Sequence, residues 1–450
     1  MTEPFKFKLL LTIRFITVIL FLAQLRFTGQ FQPQLQPLAL PLETREVSYD
    51  SVPRPPSKLP FRHNVSLTVS LMAGTPPQNV TMVIDTGSEL SWLRCNKTAQ
   101  AQSYPTSFDP ARSQSYSPVS CTSPTCTSGT RDFPIPASCD PNQLCHAMLS
   151  YADASTSEGN LASDTFFIGP GRISGLVFGC MDSAYSSNSE EDSRNTGLMG
   201  MNRGSLSFVS QMGFPKFSYC ISSSDFSGLL LLGDGNFSWS LPLNYTPLIQ
   251  MSTPLPYFDR VAYTVQLVGI KVSDTLLSLP KSIFEPDHTG AGQTMVDSGT
   301  QFTFLLGPVY NALRAEFLKQ TTGVLRVLED PNFVFQGAMD LCYLVQTDQK
   351  SLPPLPSVSL VFQGAEMTVP GDRALYRVPD QVRGTDSVDC LSFGNSDLLG
   401  VEAFVIGHHH QQNVWMEYDL QNSRIGLAHV QCDSASQNFG IGPQSNRNRG

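Results

Sequence analysis

Two short phrases of the chain place an aspartate in the same local pattern, apolar-apolar-Asp-Thr/Ser-Gly-Ser/Thr. The first phrase is VIDTGS at 83–88 and the second is MVDSGT at 295–300. Two carboxyl groups brought close together cannot both ionise easily, so a pair formed by Asp85 and Asp297 would share one proton. The ionised carboxylate would act as a general base on water, and the protonated one would donate to a substrate carbonyl. The pattern therefore predicts a two-aspartate site that activates water.

Six flanking residues are of types that would hold the two carboxyl groups in place. The glycine of each phrase would let the backbone turn sharply and bring N–H groups close to the carboxylates. The first hydroxyl residue of each phrase would hydrogen-bond across the two loops, and the last would hydrogen-bond to the outer carboxylate oxygens. These residues are Thr86, Gly87, Ser88, Ser298, Gly299 and Thr300.

A second pair of phrases repeats at nearly the same distance from the aspartates. Leu198-Met199-Gly200 ends 115 residues after Asp85, and Val405-Ile406-Gly407 ends 110 residues after Asp297. A single Asp-Thr-Gly is ordinary turn composition, but two copies, each followed by an apolar-apolar-Gly phrase, indicate an internal repeat. The repeat predicts two similar lobes that face each other and contribute one aspartate each.

The pattern of the whole chain predicts the elements that must position these loops. From Val65 onward, apolar and polar residues alternate as in a half-buried strand. Short apolar runs broken by Gly, Pro, Ser and Asn then continue to about residue 433. The best helical pattern is 308–319, which has Pro at its start and four apolar residues on one face. We therefore predict an all-β fold with many turns.

Composition indicates where the segments of the chain lie. Its 450 residues are 41% hydrophobic and 15% charged, enough for two or three domains. Lys6 and Lys8 precede a short apolar stretch, as in a secretory signal peptide; an uncleaved signal anchor is the alternative. Residues 31–60 are rich in Pro and Gln and show no period. The predicted segments are a signal peptide (1–29), a linker or short prosegment (30–63), an N-terminal lobe (64–238), a C-terminal lobe (239–433) and a polar tail (434–450).

Cysteines and glycosylation sequons favour the secretory pathway. An even number of cysteines behind a signal peptide predicts disulfides, so the protein would be secreted or reside in the endoplasmic reticulum lumen. The cysteine spacings do not fit a zinc site. The net charge of −9 and the absence of a basic block argue against a nucleic-acid partner. The candidate glycosylation sites are Asn64, Asn79, Asn96, Asn236 and Asn244.

Longer phrases resemble the pepsin-like aspartic peptidases, and among them the nepenthesin-like plant branch. They are DTGSELSWLRC at 85–95, YADASTSEGNL at 151–161, FGC at 178–180, NRGSLS at 202–207, FSYC at 217–220 and IGHHHQQNVW at 406–415. The resemblance spans about 65–433. It implies a bilobal acid-protease fold with a central cleft, peptide or protein substrates bound in extended form, and a role in plant development or cell survival.

The resemblance also implies a flap and a disulfide set. Tyr151 would lie on a β-hairpin flap that closes over the substrate. The family has a glycine-rich turn there, whereas this chain has Ala152-Asp153-Ala154-Ser155, which predicts a stiffer flap. Sequence alone leaves the cysteine connectivity open. The implied disulfides are Cys95–Cys180, Cys121–Cys145, Cys126–Cys139, Cys220–Cys432 and Cys342–Cys390.

Three adjacent histidines, His408, His409 and His410, raise the alternative of a metal site. Adjacent residues on a strand point to opposite faces, so three in a row would converge poorly on one ion. The triplet also belongs to the resemblance, directly after Ile406-Gly407. We therefore expect no metal there.

Together these observations predict an aspartic endopeptidase of the secretory pathway that hydrolyses peptides without a covalent intermediate. It would need no metal or organic cofactor, and it would be most active in acidic solution because one proton must be retained. We expect a monomer, since two lobes supply both aspartates, and no membrane insertion after signal cleavage. The alternative is a non-catalytic binding or inhibitor protein on the same fold, like plant relatives that inhibit cell-wall glycanases. The intact aspartate pair favours the protease, and the altered flap fits the alternative.

Overall fold

The computed structural model describes residues 37–46, 65–96, 107–185, 194–223, 228–234, 242–346 and 353–441. Strands dominate these residues, which confirms the β-rich class that the sequence predicts. The first half of the chain contains β1 (Leu38–Glu46), β2 (Val65–Ala73), β3 (Gln78–Asp85), β4 (Trp92–Arg94), β5 (Ser117–Pro118), β6 (Ser138–Cys139), β7 (Cys145–Ser150), β8 (Thr156–Ile168), β9 (Gly171–Tyr185), β10 (Gly197–Gly200), β11 (Lys216–Cys220) and β12 (Gly228–Leu232). The second half contains β13 (Asn244–Pro247), β14 (Leu267–Val272), β15 (Thr275–Leu276), β16 (Gln293–Val296), β17 (Thr303–Leu305), β18 (Arg326–Val327), β19 (Cys342–Gln346), β20 (Val358–Phe362), β21 (Ala365–Val369), β22 (Leu375–Arg383), β23 (Asp386–Leu391), β24 (Phe393–Asn395), β25 (Ala403–Ile406), β26 (Val414–Asp419) and β27 (Arg424–His429).

Helices are few, and one of them is long. They are α1 (Pro124–Thr127), α2 (Phe208–Met212), α3 (Gly307–Thr321), α4 (Gly371–Ala374) and α5 (Cys432–Asn438), with 3-10 turns at Pro110–Arg112, Lys281–Phe284, Ser396–Leu399 and His408–Gln411. α3 covers the predicted helix 308–319 and buries the four apolar residues of its pattern, Val309, Tyr310, Leu313 and Phe317. Within the described ranges, no helix has the length and apolar character needed to cross a membrane.

One fifteen-stranded sheet combines strands from both ends of the chain. Its hydrogen-bonded order is β13-β27-β26-β11-β12-β1-β2-β3-β10-β4-β9-β8-β7-β6, with β5 on β8. Strands β26 and β27, near the C-terminus, therefore continue the sheet beside β11 and β12. Three four-stranded sheets complete the second half, in the orders β15-β14-β20-β21, β16-β25-β17-β24 and β18-β19-β23-β22.

The internal repeat appears as the same strand arrangement in each half. β3 pairs in parallel with β10, which places Gly200 opposite Asp85, and β10 pairs antiparallel with β4. β16 pairs in parallel with β25, and β25 pairs antiparallel with β17. The two apolar-apolar-Gly phrases thus run alongside the strands that lead into the aspartate loops.

The apolar core extends beneath both aspartate loops. Ile84 and Met199, from β3 and β10, belong to the same buried cluster as Val296 and Ile406, from β16 and β25. Each of these side chains is at most 4% exposed. Because protein interiors are close-packed, this shared core ties the two loops into one block.

Two segments that the sequence analysis placed outside the lobes are folded. β1 lies within 30–63, and it pairs with both β12 and β2 in the large sheet. Its Leu40 and Leu42 are buried, so residues 38–46 are not a linker. α5 reaches into the predicted polar tail, where Ala435 is buried. The predicted signal peptide lies outside the described residues.

Five disulfides join cysteines of the described segments, and two of them differ from the implied pairing. Cys121 pairs with Cys139 and Cys126 with Cys145, so the expected Cys121–Cys145 and Cys126–Cys139 bonds are wrong. Strand pairing gives the reason: Cys139 and Cys145 lie opposite each other across the β6–β7 hairpin, with Cys145 buried and Cys139 exposed. The buried Cys145 forms its disulfide with Cys126 of α1, and the exposed Cys139 forms its disulfide with Cys121. The other three bonds, Cys95–Cys180, Cys220–Cys432 and Cys342–Cys390, are as implied.

Candidate active site

Each aspartate of the repeated phrase lies at the C-terminal end of a strand and is held by its own loop. Asp85 is the last residue of β3, and Asp297 directly follows β16. In both loops Oδ1 accepts the N–H of the glycine two residues later at 2.8 Å. In both loops Oδ2 accepts from the hydroxyl three residues later. The partners are Gly87 and Ser88 for Asp85, and Gly299 and Thr300 for Asp297.

The two loops hold each other through reciprocal hydrogen bonds. The Thr86 N–H donates to Ser298 Oγ at 3.0 Å, and the Ser298 N–H donates to Thr86 Oγ1 at 2.9 Å. The two hydroxyls donate onward to backbone carbonyls of the opposite strands, Val296 O at 3.3 Å and Ile84 O at 3.1 Å. Thr86 and Ser298 are both buried, so these bonds are shielded from competing water.

Each glycine faces the opposite aspartate at close range. A Cβ placed on Gly299 would lie 2.5 Å from Asp85 Oδ1, and one on Gly87 would lie 2.9 Å from Asp297 Oδ1. The two carboxyl groups are in hydrogen-bond contact with each other. Burial, and then the neighbouring Asp297 carboxyl, raise the pKa of Asp85 from 3.8 to about 8. The pair therefore retains a proton in acidic and neutral solution.

Tyr151 lies in the turn of the β7–β8 hairpin and lines the same cavity as Asp85 and Asp297. Its N–H donates to Ser155 O at 3.0 Å, and its hydroxyl accepts from Trp92 Nε1 at 2.7 Å. Burial, and then the charge of Asp85, raise the pKa of the Tyr151 hydroxyl well above its ordinary value. The turn contains Ala154 at a φ of 65°, a left-handed conformation that costs a non-glycine residue free energy.

Two adjoining cavities flank the aspartates, and both are lined from both halves of the chain. The first has a volume of about 350 Å³ and is lined by Asp85, Asp297, Tyr151, Trp92 and Phe133, among others. The second has a volume of about 740 Å³ and a largely apolar wall from the second half, including Met295, Tyr257, Phe258, Leu398 and Val405. The cavities meet at Asp297 and Thr300, so a chain that passed through both would cross the carboxyl pair.

Sequence reasoning missed several charged residues that line these cavities, among them Glu89, Asp132 and Arg260. Glu89 is 7% exposed, its Oε1 accepts from the N–H of Leu206 at 2.9 Å, and burial raises its pKa to about 7. Asp132 accepts from Arg260 at 2.7 Å, which joins the two halves beside the aspartates. The position of Glu89 within the phrase DTGSELSWLRC at 85–95, four residues after Asp85, was a signal for its location. No spacing rule could have indicated the ion pair, because 128 residues separate its partners.

The three histidines lie in the 3-10 turn after β25, where the sequence analysis assumed a strand. Their side chains diverge, and no three His, Cys, Asp or Glu residues in the described ranges are grouped to hold a metal ion. Burial lowers the pKa of His409 to about 4 and that of His410 well below its ordinary value. The partners of the three Nε2 atoms, in order, are Val65 O at 3.3 Å, Arg373 O at 3.2 Å and Ser392 Oγ at 2.8 Å.

The sequon asparagines differ in their exposure. Asn79 and Asn244 are exposed, whereas Asn96 is half-buried. Asn64 and Asn236 lie outside the described residues. Asn79 and Asn244 are thus the described sites where a glycan would meet solvent.

Comparison with known proteins covers most of the chain. Residues 68–234 match the family described as xylanase inhibitor N-terminal, and residues 262–429 match the one described as xylanase inhibitor C-terminal. Aspartic proteinase PCS1 of Arabidopsis thaliana is 66% identical over 410 residues, which cover 90% of each chain. Aspartic proteinase nepenthesin-2 of Nepenthes gracilis is 30% identical over 370 residues, which cover 82% of this chain and 78% of nepenthesin-2.

A solved structure shares the fold at lower identity. The crystal structure of basic 7S globulin from soybean matches with a TM-score of 0.61 and 20% identity, over 88% of this chain and 97% of the globulin. At that identity the likeness concerns the fold alone.

Proposed function

Because the chain belongs to the pepsin-like plant aspartic protease family, we propose that it is an aspartic endopeptidase whose Asp85 and Asp297 activate the attacking water. The observation that carries this proposal is the pair of carboxyl groups in contact at the crossing of two loops, with the pKa of Asp85 raised to about 8. A pair that keeps one proton supplies both a general acid and a general base.

The reaction follows from that protonation state. Asp85 carries the shared proton, and Asp297 accepts a proton from the water as its oxygen attacks the peptide carbonyl carbon. Asp85 donates its proton to the carbonyl oxygen, which gives a neutral tetrahedral diol. Asp297 then gives its proton to the amide nitrogen while Asp85 takes one from a diol hydroxyl, so the C–N bond breaks without a covalent intermediate and the pair regains its starting protonation state. The N–H groups of Gly87 and Gly299 and the hydroxyls of Ser88 and Thr300 keep the carboxyl planes fixed throughout.

The substrate is a peptide in extended form, bound in a central cleft between two β-rich lobes. The two cavities meet at the carboxyl pair and draw residues from both halves of the chain, which supports this arrangement. The β7–β8 hairpin with Tyr151 acts as the flap, and strand-like hydrogen bonds hold the substrate backbone. Ala154 in its turn makes the flap stiffer than a glycine-rich one. The enzyme acts as a monomer.

The location we propose is the secretory pathway, either secreted or in the endoplasmic reticulum lumen. Five disulfides among the described residues support an oxidising compartment. The role we propose, in development or cell survival of a plant, is the one that the resemblance of the sequence phrases implies, and the 66% identity to the Arabidopsis proteinase supports a plant aspartic proteinase.

A binding or inhibitor protein is the second candidate. The family descriptions, which name xylanase inhibitors, favour it, and so does a turn in which alanine replaces glycine. The complete set of hydrogen bonds around both aspartates weighs for catalysis, because a binding protein would have no use for the raised pKa of Asp85.

The test is peptidase activity of the full chain and of single variants on a denatured protein at acidic pH. We expect Asp85→Asn and Asp297→Asn each to abolish cleavage while near-UV circular dichroism stays unchanged. Asp274→Asn, in an exposed turn, is the matched control and should retain full activity. Substantial cleavage by either active-site variant would contradict the assignment.

A further inference from the structure

A hydrogen-bonded circuit of four buried polar side chains lies beneath the catalytic loops. Its members are Tyr219, Tyr418, Gln411 and Thr86. The hydroxyls of Tyr219 and Tyr418, on the paired strands β11 and β26, are 2.8 Å apart. The Tyr219 hydroxyl donates to Gln411 Oε1, and the Tyr418 hydroxyl contacts that of Thr86. All four residues are fully buried. Neither the sequence analysis nor the proposed mechanism gives Tyr219, Tyr418 or Gln411 a role.

The hydrogen-bond donors of this circuit can be ordered in one direction. Gln411 Nε2 donates to Ile406 O at 2.8 Å, which fixes the amide so that its oxygen faces Tyr219. Tyr219 donates its single hydroxyl proton to that oxygen, so its own oxygen must accept a hydrogen bond from the Tyr418 hydroxyl. The Thr86 hydroxyl has one proton, which it donates either to Val296 O at 3.3 Å or to the Tyr418 hydroxyl. Each hydroxyl therefore donates once, as buried polar groups require.

Both ends of the circuit contact the backbone of the second catalytic loop. At one end the Ser298 N–H donates to Thr86 Oγ1 at 2.9 Å. At the other end Ile406 O also accepts from the N–H of Asp297 at 3.0 Å. The amides of two consecutive residues are thus held by the two ends of one hydrogen-bonded circuit. Aromatic packing holds the circuit from the side, since the Tyr418 ring stacks on Phe217 at 4.5 Å.

We propose that Tyr219, Tyr418 and Gln411 are positioning residues, which fix the second catalytic loop so that the Asp297 carboxyl stays in contact with Asp85. This inference rests on the proposed peptidase function. It adds that the paired strands β11 and β26 of the fifteen-stranded sheet set the geometry of the aspartate pair. A displacement of about 1 Å at a catalytic group can cost about a hundredfold in rate, so small changes in this circuit should be measurable.

The test uses conservative hydroxyl deletions in the full chain. We expect Tyr418→Phe and Tyr219→Phe each to lower kcat about tenfold, with KM changed less than twofold, because the substrate does not touch these residues. The double variant should lose no more than the worse single variant, since either deletion opens the same circuit. Tyr343→Phe is the matched control: it removes another fully buried hydroxyl, which lies on β19, is bonded at 2.8 Å to Thr321 and takes no part in the circuit.

A pH profile separates positioning from general destabilisation. When Asp297 is held less firmly, its effect on the pKa of Asp85 weakens, so the alkaline limb of kcat/KM should move to lower pH in both tyrosine variants. Unchanged kcat and an unchanged limb in both variants would overturn the inference, and so would an equal loss in Tyr343→Phe. Should Tyr418→Phe fail to fold, Tyr219→Phe and Gln411→Met decide the matter by the same criteria. If wild-type protein cleaves nothing, it is the proposed function that fails.

Discussion

Replacing Asp85 by asparagine should change how the stability of the protein depends on pH. The folded-state pKa of Asp85 is about 8, against 3.8 for the unfolded chain. The folded state therefore binds a proton more tightly than the unfolded state. The stabilisation from this group is complete below pH 3.8 and is lost as pH rises to about 8.

The magnitude follows from the difference of roughly four pKa units. At about 1.4 kcal/mol for each unit, wild-type protein should lose about 5 kcal/mol of unfolding free energy through Asp85 between pH 4 and pH 8. Asparagine keeps the shape of the side chain and does not titrate, so Asp85→Asn removes this pH-dependent loss of unfolding free energy. The variant should thus become the more stable protein as pH rises, although it is inactive.

The assay is urea unfolding of wild type and Asp85→Asn at half-unit steps from pH 4 to pH 8. The difference between the two curves cancels all groups that titrate alike in both proteins. Asp274→Asn, which removes an exposed charge, controls for the change in net charge. Parallel curves for wild type and Asp85→Asn would refute the claim that the pair retains a proton at neutral pH.

Three further predictions concern the loops, the histidines and the first strand. Thr86→Val should lower kcat by about ten- to a hundredfold with little change in KM, because the Ser298 N–H loses its acceptor; unchanged steady-state kinetics would contradict this role. In urea unfolding, wild-type protein should lose about 3 kcal/mol of unfolding free energy between pH 6.5 and pH 4, because the unfolded chain binds a proton at His409 that the buried ring does not bind. His409→Phe should remove this loss. An unchanged dependence of the unfolding free energy on pH in the variant would contradict the prediction. A chain that starts at residue 47 lacks β1 and should aggregate, while one that starts at residue 37 should give a monomeric peak in size-exclusion chromatography. Equal behaviour of the two truncated chains would show that the large sheet does not need β1.

Much of the site could be predicted from the sequence because local spacing determines it. The glycine and hydroxyl partners of each aspartate lie two and three residues downstream, so one short loop brings them together. The repeated apolar-apolar-Gly phrases predicted an internal repeat, which the structure shows as the parallel pairing of β10 with β3 and of β25 with β16. α3 was predicted correctly because its four buried residues follow the helical period.

The errors arose where distant residues decide the structure. Leu40 and Leu42 alternate with exposed positions, but the surrounding prolines and glutamines hid the strand that β12 and β2 complete. The pairing of Cys121 and Cys126 depends on which of the two cross-strand neighbours, Cys139 or Cys145, each one approaches, a matter of tertiary contact. The circuit through Tyr219 joins residues about 200 positions apart, beyond the reach of any local pattern.

The most direct test of the two-aspartate mechanism is cleavage of a denatured protein from pH 3 to pH 7, with and without pepstatin. The shared proton predicts cleavage in acidic solution that disappears with the inhibitor and is absent from Asp85→Asn. Folded, disulfide-bonded protein that cleaves nothing over this range would contradict the mechanism and favour a binding protein. Cleavage that pepstatin leaves intact would equally contradict it.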